Sequence, residues 1–127
     1  YEKFIIQYHV WPGCNYYEYQ ECFWVQPYLD QFLTLLVTYK PQIITLLGAH
    51  IHHIEVMAPV SKTVTGLNAV QVILPAISPV YGNNPGYGVL EIDDSTWKVR
   101  DLSFSFFQLE DYYRMGVTMW RDLDLQQ

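Results

Sequence analysis

Residues 42–53 read Gln-Ile-Ile-Thr-Leu-Leu-Gly-Ala-His-Ile-His-His, QIITLLGAHIHH. Gln42 to Gly48 is short, apolar and β-branched, which predicts a buried strand. Histidines begin where that strand stops. Upstream, Pro27 suits the first turn of a helix, where its missing N–H costs nothing. Pro41 ends that helix, because the residue before a proline avoids helical backbone angles. Between the prolines, Gln26, Asp30, Thr34 and Thr38 recur every four positions as one narrow polar stripe. Tyr28, Leu29, Phe32, Leu33, Leu35, Leu36 and Val37 fill most of the remaining circumference, so burial on more than one side is expected. Further upstream, Lys3 to Val10 (KFIIQYHV) reads as another buried strand, ending near His9. Strand, helix and strand make a βαβ unit, parallel and right-handed.

After this unit the pattern changes. His53 to Ala58, Ala69 to Leu74, Tyr87 to Asp93 and Trp97 to Phe107 read as further, mostly antiparallel strands. Asp93-Asp94-Ser95-Thr96 reads as the hairpin turn between the last two. Ser61 to Asn68 and Ser78 to Gly86 read as loops. In the tail, Gln108 to Gln127, a helix is expected to begin at Thr118. The fold class is therefore α/β, with a mixed sheet built around one βαβ unit.

The 127 residues fit one compact domain, and no internal boundary stands out. Half of the residues are apolar and 16% are charged, which argues against disorder. Seven basic against thirteen acidic side chains give a net charge of -6. That sign disfavours nucleic acid, whose phosphates need clustered Lys and Arg. It equally disfavours docking on anionic lipid. No uncharged apolar run reaches the roughly 18 residues of a membrane span; the longest candidate, Phe32 to Ala49, is interrupted by Lys40-Pro41. Cys14 and Cys22 lie in one loop crowded with Tyr16, Tyr17, Tyr19 and Phe23. Either they form a disulfide, which would point to a secretory compartment, or they remain two unpaired thiols.

The four histidines carry the chemical signal. Both strands of a parallel βαβ unit end at the same sheet edge, where ligand sites form. His9 and the group His50, His52 and His53 should therefore converge. His50 and His52 are two apart on an extended segment and share a direction, whereas His53 points away. Converging neutral imidazoles suit Zn, Fe or Ni. The alternative for each is a structural histidine satisfied by hydrogen bonds. Glu55 is either a carboxylate that orients a ligand histidine or an exposed strand residue. Asn84 to Tyr87 is a tight turn, with Ser78 and Asn84 as candidates for substrate contact. Asp93 and Asp94 are turn residues.

Three segments resemble those of calcineurin-like metallophosphoesterases. His9-Val10-Trp11-Pro12-Gly13 is similar to the family's H-x-P-P-G segment. Gly48-Ala49-His50-Ile51-His52 is similar to its G-H-x-H segment, with Glu55 shortly after. Asn84-Pro85-Gly86-Tyr87, followed by Val89-Leu90-Glu91-Ile92-Asp93, resembles a stretch typical of the acid sphingomyelinase and endopolyphosphatase branch. Order and spacing agree from about Lys3 to Asp93. The resemblance implies a four-layer α/β/β/α sandwich around two divalent ions, Zn or alternatively Fe or Mn. Carried over, His9 and His50 would share one ion and His52 would hold the other. The implied reaction is hydrolysis of a phosphodiester or phosphoanhydride. The aromatic loop leans towards lipid or nucleotide phosphodiesters, and the implied compartment is secreted, lysosomal or vacuolar.

Two departures stand out. Ala49 replaces the glycine directly before the first histidine of G-H-x-H, so a shifted turn is expected there. The family's earlier motifs, an Asp-x-His pair, a bridging Asp and an Asn-His pair, are not among these residues. The resemblance thus implies that residues 1–107 are the C-terminal half of the domain, with 108–127 as a partly helical tail. Such a half does not catalyse alone. The N-terminal half, or another chain, would cover its exposed sheet and helix. Two alternatives remain: a pseudo-enzyme serving as a structural or assembly module, and a metal- or carbohydrate-binding module whose aromatic loop, Trp11 to Tyr28, stacks on sugars.

Overall fold

The computed structural model describes residues 2–15, 21–59, 64 and 70–123. The chain divides into two compact units, one of residues 1–50 and 55–73, the other of residues 51–54 and 74–127.

The first unit is built on the anticipated βαβ arrangement. Strand β1 (Phe4–Gln7) leads through the two-stranded ribbon of β2 (Cys14–Asn15) and β3 (Glu21–Cys22) to helix α1 (Gln26–Thr38). A short 3-10 turn, Lys40–Gln42, then delivers the chain into β4 (Ile43–Gly48). Strands β5 (Glu55–Met57) and β6 (Gln71–Ile73) complete a mixed sheet of order β1-β4-β6-β5. β4 pairs in parallel with β1 and with β6, and β5 is antiparallel to β6. Cys22 is disulfide-bonded, no described cysteine is free, and the backbone register sets Cys14 opposite Cys22.

Helix α1 follows its sequence signals closely. Pro27 occupies the first turn, and the helix closes at Tyr39, whose N–H donates to the Leu35 carbonyl at 2.9 Å. The polar stripe is stitched by its own spacing: Gln26 donates to Asp30 at 2.9 Å, Thr34 to the Asp30 carbonyl and Thr38 to the Thr34 carbonyl. Leu29, Leu33 and Leu36 form the buried stripe and pack with Leu46 of β4. Two expectations are corrected here. The helix is buried on one side only, since Tyr28 and Leu35 are 65% and 55% exposed. β1 is also not a buried strand: it lies at the sheet's edge with Phe4 and Ile5 exposed. Both follow from one cause, because among the described residues of this unit no further element packs on the outer flank of α1 or beside β1. What remains there is an apolar groove of about 710 Å³, lined by Phe4, Ile6, Phe32, Leu35, Tyr39 and Ile43 among others.

The second unit holds an antiparallel sheet of β7 (Gly86–Ile92), β8 (Val99–Phe107) and β9 (Trp120–Leu123) in that order. The β7–β8 turn is nucleated by Asp93. One of its oxygens accepts from the backbone N–H of Ser95 and Thr96 and from both hydroxyls, at 2.6–3.0 Å. Those donors, the Ser95 hydroxyl first and then Thr96, hold its carboxyl at about 2, below the ordinary 3.8. The tail differs from expectation. Its helix, α2 (Leu109–Met115), comes earlier than Thr118, and Trp120–Leu123 is a strand paired with β8. Gly116, in the left-handed conformation at φ 66°, stops α2, and the aromatic and apolar residues that follow suit a strand.

Candidate metal centre

The parallel pairing of β1 and β4 fixes where the histidines fall. It runs past the strand ends: Tyr8 N–H donates to the Leu47 carbonyl at 3.0 Å, and Ala49 N–H donates to the His9 carbonyl at 3.1 Å. His9 and His50 therefore leave the sheet edge side by side. His9 Nε2 and His50 Nδ1 share a hydrogen bond at 3.1 Å, one imidazole donating to the other, and the rings meet edge to face with centroids 5.0 Å apart.

The backbone bends sharply to present His50. Its φ is 85°, in the left-handed region that few non-glycine residues enter. Ala49 is not left-handed; His50 itself takes that conformation. His52, at φ 63°, does the same in the second unit. Such residues cost stability and gather at functional sites.

The floor beneath His50 is aromatic and tight. Phe23 stands perpendicular to the His50 ring with centroids 5.4 Å apart and stacks edge-on against Trp11 at 4.6 Å. Phe23 is held by its N–H, which donates to the Gly13 carbonyl at 2.9 Å. Trp11 is fully buried. Gly48 must be glycine for space: a Cβ there would lie 2.6 Å from Ile73 Cδ1, 3.1 Å from Trp11 Cβ and 3.2 Å from Tyr8 Cε2. Tyr8 reaches across to donate its hydroxyl to the Oε1 of fully buried Gln71, and burial pushes its phenol well above the ordinary value. Among the described residues of the aromatic loop, Phe23 meets a histidine; Tyr16, Tyr17 and Tyr19 lie outside the described residues.

The other candidates are placed as follows. His52 packs its ring on Tyr81, centroids 4.8 Å apart, with Nδ1 buried and without a hydrogen-bond partner. His53 is exposed. Glu55 opens β5, half-buried and in register with Ile73. Asn84 Oδ1 accepts from Leu109 N–H at 3.1 Å, so its side chain satisfies the first N–H of α2. Ser78 is exposed, and its carbonyl accepts from Asn83 Nδ2 at 3.0 Å. Among the described residues, no three His, Cys, Asp or Glu side chains gather as a ready metal cage.

The sequence did not single out Phe23, Gly48 and Tyr81 for these roles. Gly48 was visible as the strand's last residue, but its close approach needs the β4–β6 register. Phe23 was one aromatic among many in its loop. No protein-family model matches the chain, and no curated protein matches it significantly.

Proposed function

We propose that residues 1–107 form the C-terminal half of a dinuclear metallophosphoesterase domain, with His9 and His50 holding one divalent ion. The observation that carries this is the contact between His9 Nε2 and His50 Nδ1 at the paired ends of two parallel strands. Two nitrogens bound to a tetrahedral zinc at about 2.0–2.1 Å stand roughly 3.3 Å apart. The 3.1 Å separation already lies near that value. The left-handed His50 supports the same reading, since strain at a ligand position is retained where the site requires it. The resemblance assigns His52 to the second ion, and its buried, unpartnered Nδ1 suits a nitrogen reserved for a ligand.

The chemistry that bound divalent ions supply at such a site is acidification of a water and neutralisation of charge on phosphoryl oxygens. The chain's own residues orient and shield. The parallel register aims His9 and His50 from a rigid sheet edge. Phe23, backed by Trp11, covers one flank of the His50 ring. A bridging carboxylate and a group to protonate the leaving alkoxide belong to the family's earlier motifs, so the N-terminal half must supply them. The same half covers the groove and adds to the open edge of β1, completing the four-layer sandwich. The substrate is a phosphodiester or phosphoanhydride, and the aromatic flank favours a phosphodiester with an apolar or planar group.

The test uses the full-length protein with zinc, and bis(p-nitrophenyl) phosphate and polyphosphate as probes. His9→Ala and His50→Ala should each lower phosphodiester turnover by more than about 100-fold, beyond the loss typical of outer partners. No turnover of either probe by a protein that holds two zinc ions would overturn the assignment.

The exposed groove also favours a second reading, a non-catalytic assembly module. Metal analysis separates them: two ions per copy fit the enzyme, and none fits the module.

A further inference from the structure

The disulfide of the β2–β3 ribbon has no task in the metal reading, yet its chain leads directly to the candidate centre. The described part of the ribbon has two rungs, Cys14 opposite Cys22 and Asn15 opposite Glu21. A lone two-stranded ribbon is marginal in water, so its ties decide whether it holds. Cys22 is disulfide-bonded, and Cys14 is the chain's only other cysteine. One step further, Phe23 N–H donates to the Gly13 carbonyl at 2.9 Å. Beyond that, Trp24 Nε1 donates to the Val10 carbonyl at 3.0 Å. Phe23 is thus carried by the residue next to the cross-link. Its ring lies 4.6 Å from that of fully buried Trp11 and stands at 89° to the His50 ring, centroids 5.4 Å apart. His50 needs such support, because a φ of 85° persists only where the surroundings impose it.

We propose that Phe23 is a positioning residue for His50 and that the disulfide at Cys22 sets its grip, so that the oxidation state of this bond tunes metal affinity. The effect on zinc rests on the metal-centre reading; the effect on the His50 ring does not. Gly13 directly precedes Cys14, and Phe23 directly follows Cys22, so the cross-link closes the chain on both sides of the Gly13–Phe23 hydrogen bond. Cys22 is exposed, and exposed disulfides are the ones that reductants reach. A dithiol reductant supplies two electrons and two protons: the S–S bond breaks, two cysteine thiols form, and the reductant's own sulfurs join as a disulfide. The opened chain regains the freedom that the cross-link removed. The Gly13–Phe23 rung then frays, Phe23 leaves the His50 ring for part of the time, and His50 relaxes from its left-handed angle and from His9. The sheet stays in place, since β4 is held by β1 and β6 and not by the ribbon.

The test compares the full-length protein before and after reduction with a phosphine, which does not chelate zinc as a dithiol would. In the metal-free protein, NMR follows the His50 ring protons, which the Phe23 ring shifts while it stays in place. Zinc affinity is read by competition with a chromogenic chelator. Reduction should move the His50 ring protons and weaken zinc by about two- to tenfold, the worth of one edge-to-face ring pair. Cys14→Ser with Cys22→Ser should reproduce the reduced state without a reductant. Phe23→Leu, with its disulfide intact, should weaken zinc as much, and reduction should then change nothing further. Amide resonances of Leu46 and Val72 should stay in place throughout, reporting an intact sheet. Unmoved His50 protons on reduction, tighter zinc binding through the freed thiols, a full redox response in Phe23→Leu, or loss of the Leu46 and Val72 resonances overturns the proposal. A protein that binds no zinc in either state, yet shows the His50 shift, upholds the positioning role and refutes the metal-centre reading instead.

Discussion

Replacing Gly48 by Ala adds a single methyl group at the point where the sheet meets the candidate site. The new Cβ would stand 2.6 Å from Ile73 Cδ1 and 3.1 Å from Trp11 Cβ. Comfortable carbon contacts lie at about 3.5–4.0 Å, so the overlap with Ile73 is roughly 1 Å. Ile73 and Trp11 are both fully buried, and the Trp11 Cβ is fixed to its backbone, so neither can turn out into solvent to relieve the overlap. Overpacking of this kind costs about 1–3 kcal/mol. Gly48 is not left-handed, so alanine regains about 0.4–1 kcal/mol from the unfolded chain. The net expectation is a loss of about 1–2 kcal/mol. With a urea m-value of about 2 kcal/mol/M, the midpoint should fall by roughly 0.5–1 M. Equilibrium urea unfolding followed by tryptophan fluorescence reads it, because Trp11 sits in the contact. Ile73→Val removes the Cδ1 that is struck first, so Gly48→Ala with Ile73→Val should be more stable than the sum of the single changes. An unchanged or higher midpoint for Gly48→Ala, or strict additivity in the double variant, would refute the steric reasoning.

Tyr8→Phe leaves fully buried Gln71 with neither amide atom paired and should cost about 1–3 kcal/mol, whereas adding Gln71→Leu should recover most of that loss; no recovery in urea unfolding would show that the pair is not the cause. Leu33→Ala, at 1% exposure in the α1–β4 core, should cost about 3 kcal/mol, and a loss under about 1 kcal/mol would mean the cluster is loosely packed. Because the folded value of Asp93 is depressed, its ionised carboxylate holds the β7–β8 turn fully above pH 3.8, and that contribution fades as pH falls through about 2. Carboxyl NMR should show Asp93 titrating near 2; an ordinary value would mean the Ser95 and Thr96 hydrogen bonds do not persist in solution.

The βαβ core was readable because local signals agreed with one another. Pro27 and Pro41 bracketed the helix, the Gln26–Thr38 stripe set its polar side, and residues 42–48 were too apolar for anything but an interior strand. That topology alone brought His9 to His50. The missed features depend on what surrounds an element. An apolar helix flank looks buried in sequence whether or not a neighbour covers it, which is why Leu35 and Tyr28 were expected inside. A strand rich in Phe and Ile reads the same at an edge as in the centre, which misplaced Phe4 and Ile5. In the tail, the left-handed stop at Gly116 was available as a signal. The short strand after it forms only because β8 offers an edge, and no local pattern contains that edge. Asn84 showed its turn in sequence, but its partner, Leu109, lies 25 residues away.

The most direct test of the central claim follows the imidazole nitrogens of the full-length protein by ¹⁵N NMR during titration with zinc. The contact at the strand ends names the atoms: His9 Nε2 and His50 Nδ1 should move together to metal-bound shifts at the first equivalent, and His50→Ala should abolish the His9 response. If zinc leaves both nitrogens unmoved, or binds His9 through Nδ1, these two histidines do not form the metal centre and the proposed chemistry fails with it.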